Sequence, residues 1–155
     1  MFNTGLLAMM TAVNFILIKE ERMGDAPDLS WQGLVGMCRD KGLLAKELYV
    51  VFTRPTGGME AIFENLEQHL AFQGELEAKG IMFGAGPFPN DAGDEWGGQG
   101  MVIIRADSLE EARKIADSDP MHASGARDYT IRPWLLNEGR VMVDLTYSSG
   151  RYKMD

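Results

Sequence analysis

The chain has 155 residues, 45% hydrophobic and 25% charged, enough for one domain with a buried core and a terminal extension. Its formal net charge of −8 excludes nucleic acid and anionic membrane surfaces as partners, because phosphate neutralisation needs clustered Lys and Arg. The single cysteine, Cys38, makes no internal disulfide and suits a reducing, cytoplasmic setting, and no activating base lies near it in sequence.

Residues Leu6–Ile18 are mostly apolar, but Thr11 and Asn14 interrupt the run and it is too short to span a bilayer. No Lys or Arg precedes it, so the positive region of a secretory signal is missing. A packed extension is the expected reading, with Met23 or Met37 as an alternative start. Gly24 to Ser30 reads as a loop, and Asp28 or Ser30 caps a short helix that runs to about Arg39 and stops at Gly42.

Leu48–Thr53 is a continuous apolar run with the composition of a buried strand, broken by Pro55-Thr56-Gly57-Gly58. Met59, Ile62, Phe63, Leu66 and Leu70 then follow helical spacing, and Gly80 ends the helix. A second strand over Ile81–Phe83 passes into a Gly84-Ala85-Gly86-Pro87-Phe88-Pro89 turn, followed by a turn-rich tip containing Trp96. Met101–Ala106 reads as a third strand. Ser108-Leu109-Glu110-Glu111 is a capping box opening a helix to about Ala116. A fourth strand is expected over Tyr129–Leu135, a further one over Arg140–Tyr147, and a polar tail from Ser148. The core order is β-α-β-β-α-β, the ferredoxin-like class of α+β fold with two helices on one sheet face. Residues 1–45 form an N-terminal extension, 46–139 the domain, and 140–155 a C-terminal strand and tail.

Two histidines, His69 and His122, leave few routes to acid–base chemistry near neutral pH. With Leu66 at the centre of the apolar stripe, His69 lies about 60° to one side and Gln73 nearer the centre. Burying an imidazole without a partner costs on the order of a few kcal/mol, so something must satisfy it. Backbone or Gln73 would suffice in a purely structural role; a carboxylate would make it a site. Asp119 before Pro120 is a helix opening, and its carboxylate can cap free N–H groups while also holding an imidazole. Asp117 reads as a solvated residue ending the preceding helix. His122, on one turn of helix, faces the rim. Phe88, Trp96 and Trp134 either line a pocket for a flat ring or pack in the core or a dimer. No metal motif such as His-Glu-x-x-His occurs, and Gly84-Ala85-Gly86 lacks the third glycine and following helix of a dinucleotide fingerprint. No metal and no cofactor are expected.

From Tyr49 to about Trp134 the chain resembles the YCII-related proteins, relatives in fold of muconolactone isomerase. Four features carry the resemblance: the helix with His69-Leu70, the Gly84–Phe88 turn, the Ser108-Leu109-Glu110-Glu111-Ala112 helix start, and Ala116-Asp117-Ser118-Asp119-Pro120 with Gly125 beyond. The resemblance implies a dimeric α+β barrel and a pocket with a histidine–aspartate pair, matched here by His69 and Asp119. It also implies chemistry on small ring compounds, including isomerisation and loss of chloride from hydroxylated aromatics.

Two functions follow as expectations. One is a cofactor-independent lyase or isomerase acting on a small phenolic or lactone substrate, with His69 and Asp119 catalytic and Gln73, Gly86, Phe88, Trp96 and His122 contacting the substrate. The other is a non-catalytic small-ligand-binding or structural dimer. In either case a homodimer is expected, because apolar residues of the strands point to both sheet faces and the uncovered face needs a symmetric partner.

Overall fold

The computed structural model describes residues 28–154. The apolar run Leu6–Ile18 and the alternative start at Met23 lie outside the described residues. The described residues fall into two units, divided between Met37 and Cys38. Helix α1 spans Trp31–Asp40. Of the two candidate caps, Ser30 is the one in place: its Oγ accepts from the Gly33 N–H at 3.1 Å, while Asp28 Oδ1 receives the Ser30 N–H at 2.9 Å. Gly42, at φ 74°, turns the chain out behind the helix.

The larger unit holds a four-stranded sheet, so the class is mixed α+β. Strand β1 (Lys46–Pro55) is followed by helix α2 (Met59–Ala78), β2 (Met82–Pro87), β3 (Gly100–Ile104), α3 (Leu109–Asp117), a one-turn α4 (Pro120–Ala123) and β4 (Arg127–Leu136). The strands lie in the order β2-β3-β1-β4, with every neighbouring pair antiparallel. The continuous apolar run puts β1 in the interior of the sheet, where both faces are covered for most of its length. Leu48 (0% exposed) and Val50 (7%) face one side, Tyr49 (9%) and Val51 (2%) the other.

Tyr49 and Val51 form a core cluster with Val102 and Ile104 of β3 and with Ala112 and Ala116 of α3. The two alanines, four residues apart on one face of α3, let the helix approach the sheet closely. A second cluster joins Ile62 of α2, Met121 of α4 and Ala126. It pins the one-turn helix against α2.

Most element ends follow the local chemistry. Helix α2 closes with the Gly80 N–H on Glu77 O and the Ile81 N–H on Leu76 O, both at 2.9 Å, with Gly80 at φ 69°. The Ser108 cap accepts from Glu111 N at 3.1 Å. The returning Glu111 carboxylate takes the N–H of Asp107 at 2.7 Å rather than that of Ser108.

Three elements differ from expectation. The glycines at 84 and 86 belong to strand β2 and not to a turn. The register shifts between Met82 and Gly84, after which Ala85, Gly86 and Pro87 pair with Val102, Met101 and Gly100. Pro87 is tolerated because it ends an edge strand. Strand β4 begins two residues early, at Arg127, and β1 extends to Pro55 to meet it. The C-terminal segment is a hairpin of β5 (Val143–Thr146) and β6 (Arg151–Met154), not one strand and a polar tail. Gly150, at φ 63°, sends its N–H to Thr146 O and makes the turn.

Among the loops, residues 88–99 fold back on the domain. The Phe88 N–H meets Gln99 O at 3.0 Å, and the Trp96 indole N–H donates to the same carbonyl at 2.8 Å. Gly98 is required there. It has φ 82°, and a Cβ would sit 2.6 Å from Pro55 Cγ and 2.7 Å from Ile62 Cδ1.

Candidate active site

Helix α2 presents His69 and Gln73, four residues apart, on the same face. The junction of α3 and α4 presents Asp119. Its carboxylate caps α4 by accepting the Met121 N–H at 2.9 Å, with Pro120 at the first helical position. Because Ile62, Met121 and Ala126 pack α4 against α2, the capping carboxylate lies directly beneath His69.

His69 Nδ1 stands 2.9 Å from both oxygens of Asp119, and Gln73 Nε2 donates to Oδ2 at 3.1 Å. The side chains of His69 and Asp119 are 13% and 4% exposed. Burial alone would raise the Asp119 pKa. The His69 hydrogen bond and charge, helped by the Met121 N–H and the nearby His122, outweigh burial and hold the carboxyl below its ordinary range. An ionised carboxylate only accepts, so Nδ1 carries the proton of this bond and Nε2 is the remaining ring nitrogen. The same logic orients Gln73: its amide nitrogen faces Asp119, and its buried Oε1 has no protein partner.

A cavity of about 460 Å³ opens beside the pair, within the size range of small-molecule sites. Of the expected site residues, His69, Gln73, Gly86 and Trp96 line it. Phe88 does not. It lines a neighbouring groove with Phe52, Arg54 and Thr130.

His122 is also outside this cavity, and it is engaged rather than facing a rim. Its Nδ1 donates to Ala116 O at 2.7 Å, so its Nε2 accepts from the Thr53 hydroxyl at 3.1 Å. The Tyr129 ring lies 4.7 Å from its centroid. Asp117 is not simply solvated: it accepts the Tyr129 hydroxyl at 2.6 Å. Burial, together with the Asp117 bond and charge, pushes the Tyr129 phenol up to about 12. Trp134 stands 37% exposed and does not line the cavity.

Several cavity residues escape the sequence reading, Thr53 and Arg127 among them. Thr53 closes the apolar run of β1, and Arg127 opens β4 with only 7% of its surface exposed. The signal for Arg127 is alternation: Arg127, Tyr129 and Ile131 point inward in turn along β4, but starting that strand at Tyr129 leaves the arginine in a loop. Cys38 is buried, with Asn137 Nδ2 3.5 Å from its sulfur. Among the described residues no cluster of three or more His, Cys, Asp or Glu could hold a metal ion, and no helix is long and apolar enough to cross a membrane.

Comparison with known proteins places this site inside a recognised domain. A family model described as the YCII-related domain matches residues 48–135. The uncharacterized protein YjpA of Bacillus subtilis (strain 168) is 37% identical over 75 residues, covering 48% of this chain and 81% of YjpA. Among solved structures, the 5-chloro-2-hydroxyhydroquinone dehydrochlorinase of Burkholderia phenoliruptrix AC1100, in complex with 2,5-dihydroxybenzoquinone, is 21% identical. That match covers 56% of this chain and 92% of the dehydrochlorinase, with a TM-score of 0.47.

Proposed function

Because the chain belongs to the YCII-related domain family, we propose that its His69–Asp119 pair performs acid–base chemistry on a small cyclic substrate, phenolic or lactone, as a lyase or isomerase that needs no cofactor. The observation that carries this reading is the division of labour on one imidazole. Nδ1 is fixed by a buried carboxylate, and the same ring lines a cavity of about 460 Å³. A proton taken from carbon or oxygen by Nε2 leaves an imidazolium whose charge Asp119 offsets at 2.9 Å. Returning that proton to another atom of the ring completes an isomerisation; expelling a leaving group from the carbanion or enolate completes an elimination. Neither route needs a redox partner.

The assembly in this reading is a homodimer formed through the sheet face opposite α2 and α3. Phe52 (41% exposed) and Trp134 (37%) stand on that face, which Phe52 shares with its register partners Met101 and Thr130.

A panel of phenols, hydroquinones and lactones screened by thermal shift identifies ligands, since a ligand stabilises the state it binds. Hits are then assayed for turnover. His69→Ala should lower the rate by about 10²–10⁴-fold, the usual contribution of a positioned acid or base. A variant that keeps the wild-type rate overturns the assignment. Binding without turnover by the wild type would make the cavity a ligand-capture site instead.

A further inference from the structure

Arg127 is the one Lys or Arg among the described residues lining the His69 cavity, and its surroundings leave it undercompensated. The side chain sits where β4 leaves α4, opposite Pro55 in the β1 register. It is 7% exposed, and its Nε is buried without a hydrogen-bond partner. A buried guanidinium ordinarily meets a carboxylate in a two-pronged bond. The opposite charge acting on it is that of Asp119, but that carboxylate already receives His69 Nδ1, Gln73 Nε2 and Met121 N. Burial lowers the Arg127 pKa and the Asp119 charge only partly opposes it, in keeping with a cation whose own counter-charge is missing. Among the described residues lining the cavity, Glu77 on α2 is the one acidic side chain.

We propose that Arg127 is the anion-recognising residue of this cavity, and that the substrate is a small ring compound bearing an ionised oxygen, carboxylate or phenolate, which Arg127 binds while His69 faces the ring. The proposal rests on the cavity being a ligand site, and it adds the substrate's charge to that reading. Paired with an ionised oxygen, Arg127 would fix which ring atom faces Nε2, and with it the position at which a proton is moved.

The test is calorimetric binding of 4-hydroxybenzoate and of its neutral isostere 4-hydroxybenzamide to the full chain, with 4-nitrophenol as a second anion source read by its phenolate absorbance. The wild type should bind the acid at least about tenfold more tightly than the amide, as expected when an ionised acceptor meets a desolvated arginine. It should also take up 4-nitrophenol as the phenolate. Arg127→Gln should erase the preference for acid over amide while still binding the amide, and Arg127→Lys should keep part of it. A wild type that binds acid and amide equally and takes up no 4-nitrophenolate overturns the role of Arg127 and leaves the cavity reading standing. So does an Arg127→Gln variant that keeps the preference. Failure of the wild type to bind any of the three probes overturns both. Preference for the acid with no phenolate uptake assigns the anion to carboxylates; the reverse assigns it to phenolates.

Discussion

His69 Nδ1 is equidistant, at 2.9 Å, from the two carboxylate oxygens of Asp119, 50 residues further along the chain. A symmetric contact of this kind leaves one oxygen for the Met121 N–H and the other for the Gln73 amide, so one carboxylate satisfies three donors. In Asp119→Asn an oxygen remains for Met121 and His69, but an NH₂ then opposes the Gln73 NH₂. Gln73 can relieve this by flipping its amide, because its Oε1 has no other partner. Asp119→Asn should therefore fold with a loss of about 1–2 kcal/mol, and Asp119→Ala should lose about 3 kcal/mol. Both should cut turnover, since neither offsets an imidazolium. Denaturant melts and rates on a substrate from the thermal-shift panel decide this. Equal stability of the two variants would show that the amide flip does not occur.

The same carboxylate makes folding stability pH-dependent. The Asp119 pKa is lower in the folded chain than its ordinary value of 3.8. Its contribution is therefore fully present above that value and is lost as the pH falls through the lower, folded-state pKa. Denaturant melts taken from neutral pH down through this window should show the wild type losing stability that Asp119→Asn does not have to lose. Parallel curves would mean the carboxylate is not held in its charged form by the fold.

Catalysis by His69 depends on the ring nitrogen that Asp119 leaves free. His69→Gln, which has no basic nitrogen, should lose most of the rate on a substrate from the thermal-shift panel. A rate that survives the substitution would place the acid–base group elsewhere.

Packing beneath the site should matter more than packing around it. Ile62 and Met121 are wholly buried in the cluster that holds α4 against α2, so truncating either to Ala should cost about 2–5 kcal/mol. Phe63, the next residue on α2, is 60% exposed, and Phe63→Ala should change stability by no more than about 0.5 kcal/mol. Urea melts of the three variants compare them directly.

For the proposed dimer, Phe52→Glu places a charge on the exposed face of β1 without touching the cluster of Tyr49 and Val51. Sedimentation should show a dimer for the wild type and a folded monomer for the variant. A wild-type monomer, or a variant dimer, removes this face from the assembly.

Much of this architecture is legible in the residues. The apolar run of β1, the three- and four-residue spacing of α2 and the Ser108 cap each combine a local preference with the final packing, so they read correctly in isolation. Asp119 is legible for the same reason, as a cap before proline. What connects it to His69 is legible only through the family resemblance, since no periodicity relates positions 50 residues apart. Arg127 is missed because strand ends are set by pairing with a neighbour, here β1 extending to Pro55, and not by composition. The glycines of β2 mislead in the same way: they carry turn propensity, yet the ladder with β3 overrides it. In the C-terminal hairpin, Val143 faces Met154 and Leu145 faces Tyr152, while Asp144 faces Lys153. That alternation becomes visible only once the turn at Gly150 is known.

The sharing of Asp119 between a helix cap and an imidazole has a consequence for how the protein is made. His69 leaves the ribosome 50 residues before its partner, as part of a helix whose polar face has nothing to bind. Its orientation is therefore a long-range event. It requires α3 docked on the sheet and α4 closed against Ile62, contacts between distant segments that carry the cost of loop closure. A nascent or partly unfolded chain holds the imidazole but not its tautomer. Under the proposed function, chemical competence would report on completed folding: a chain in which the two halves have not met would be compact and still inert.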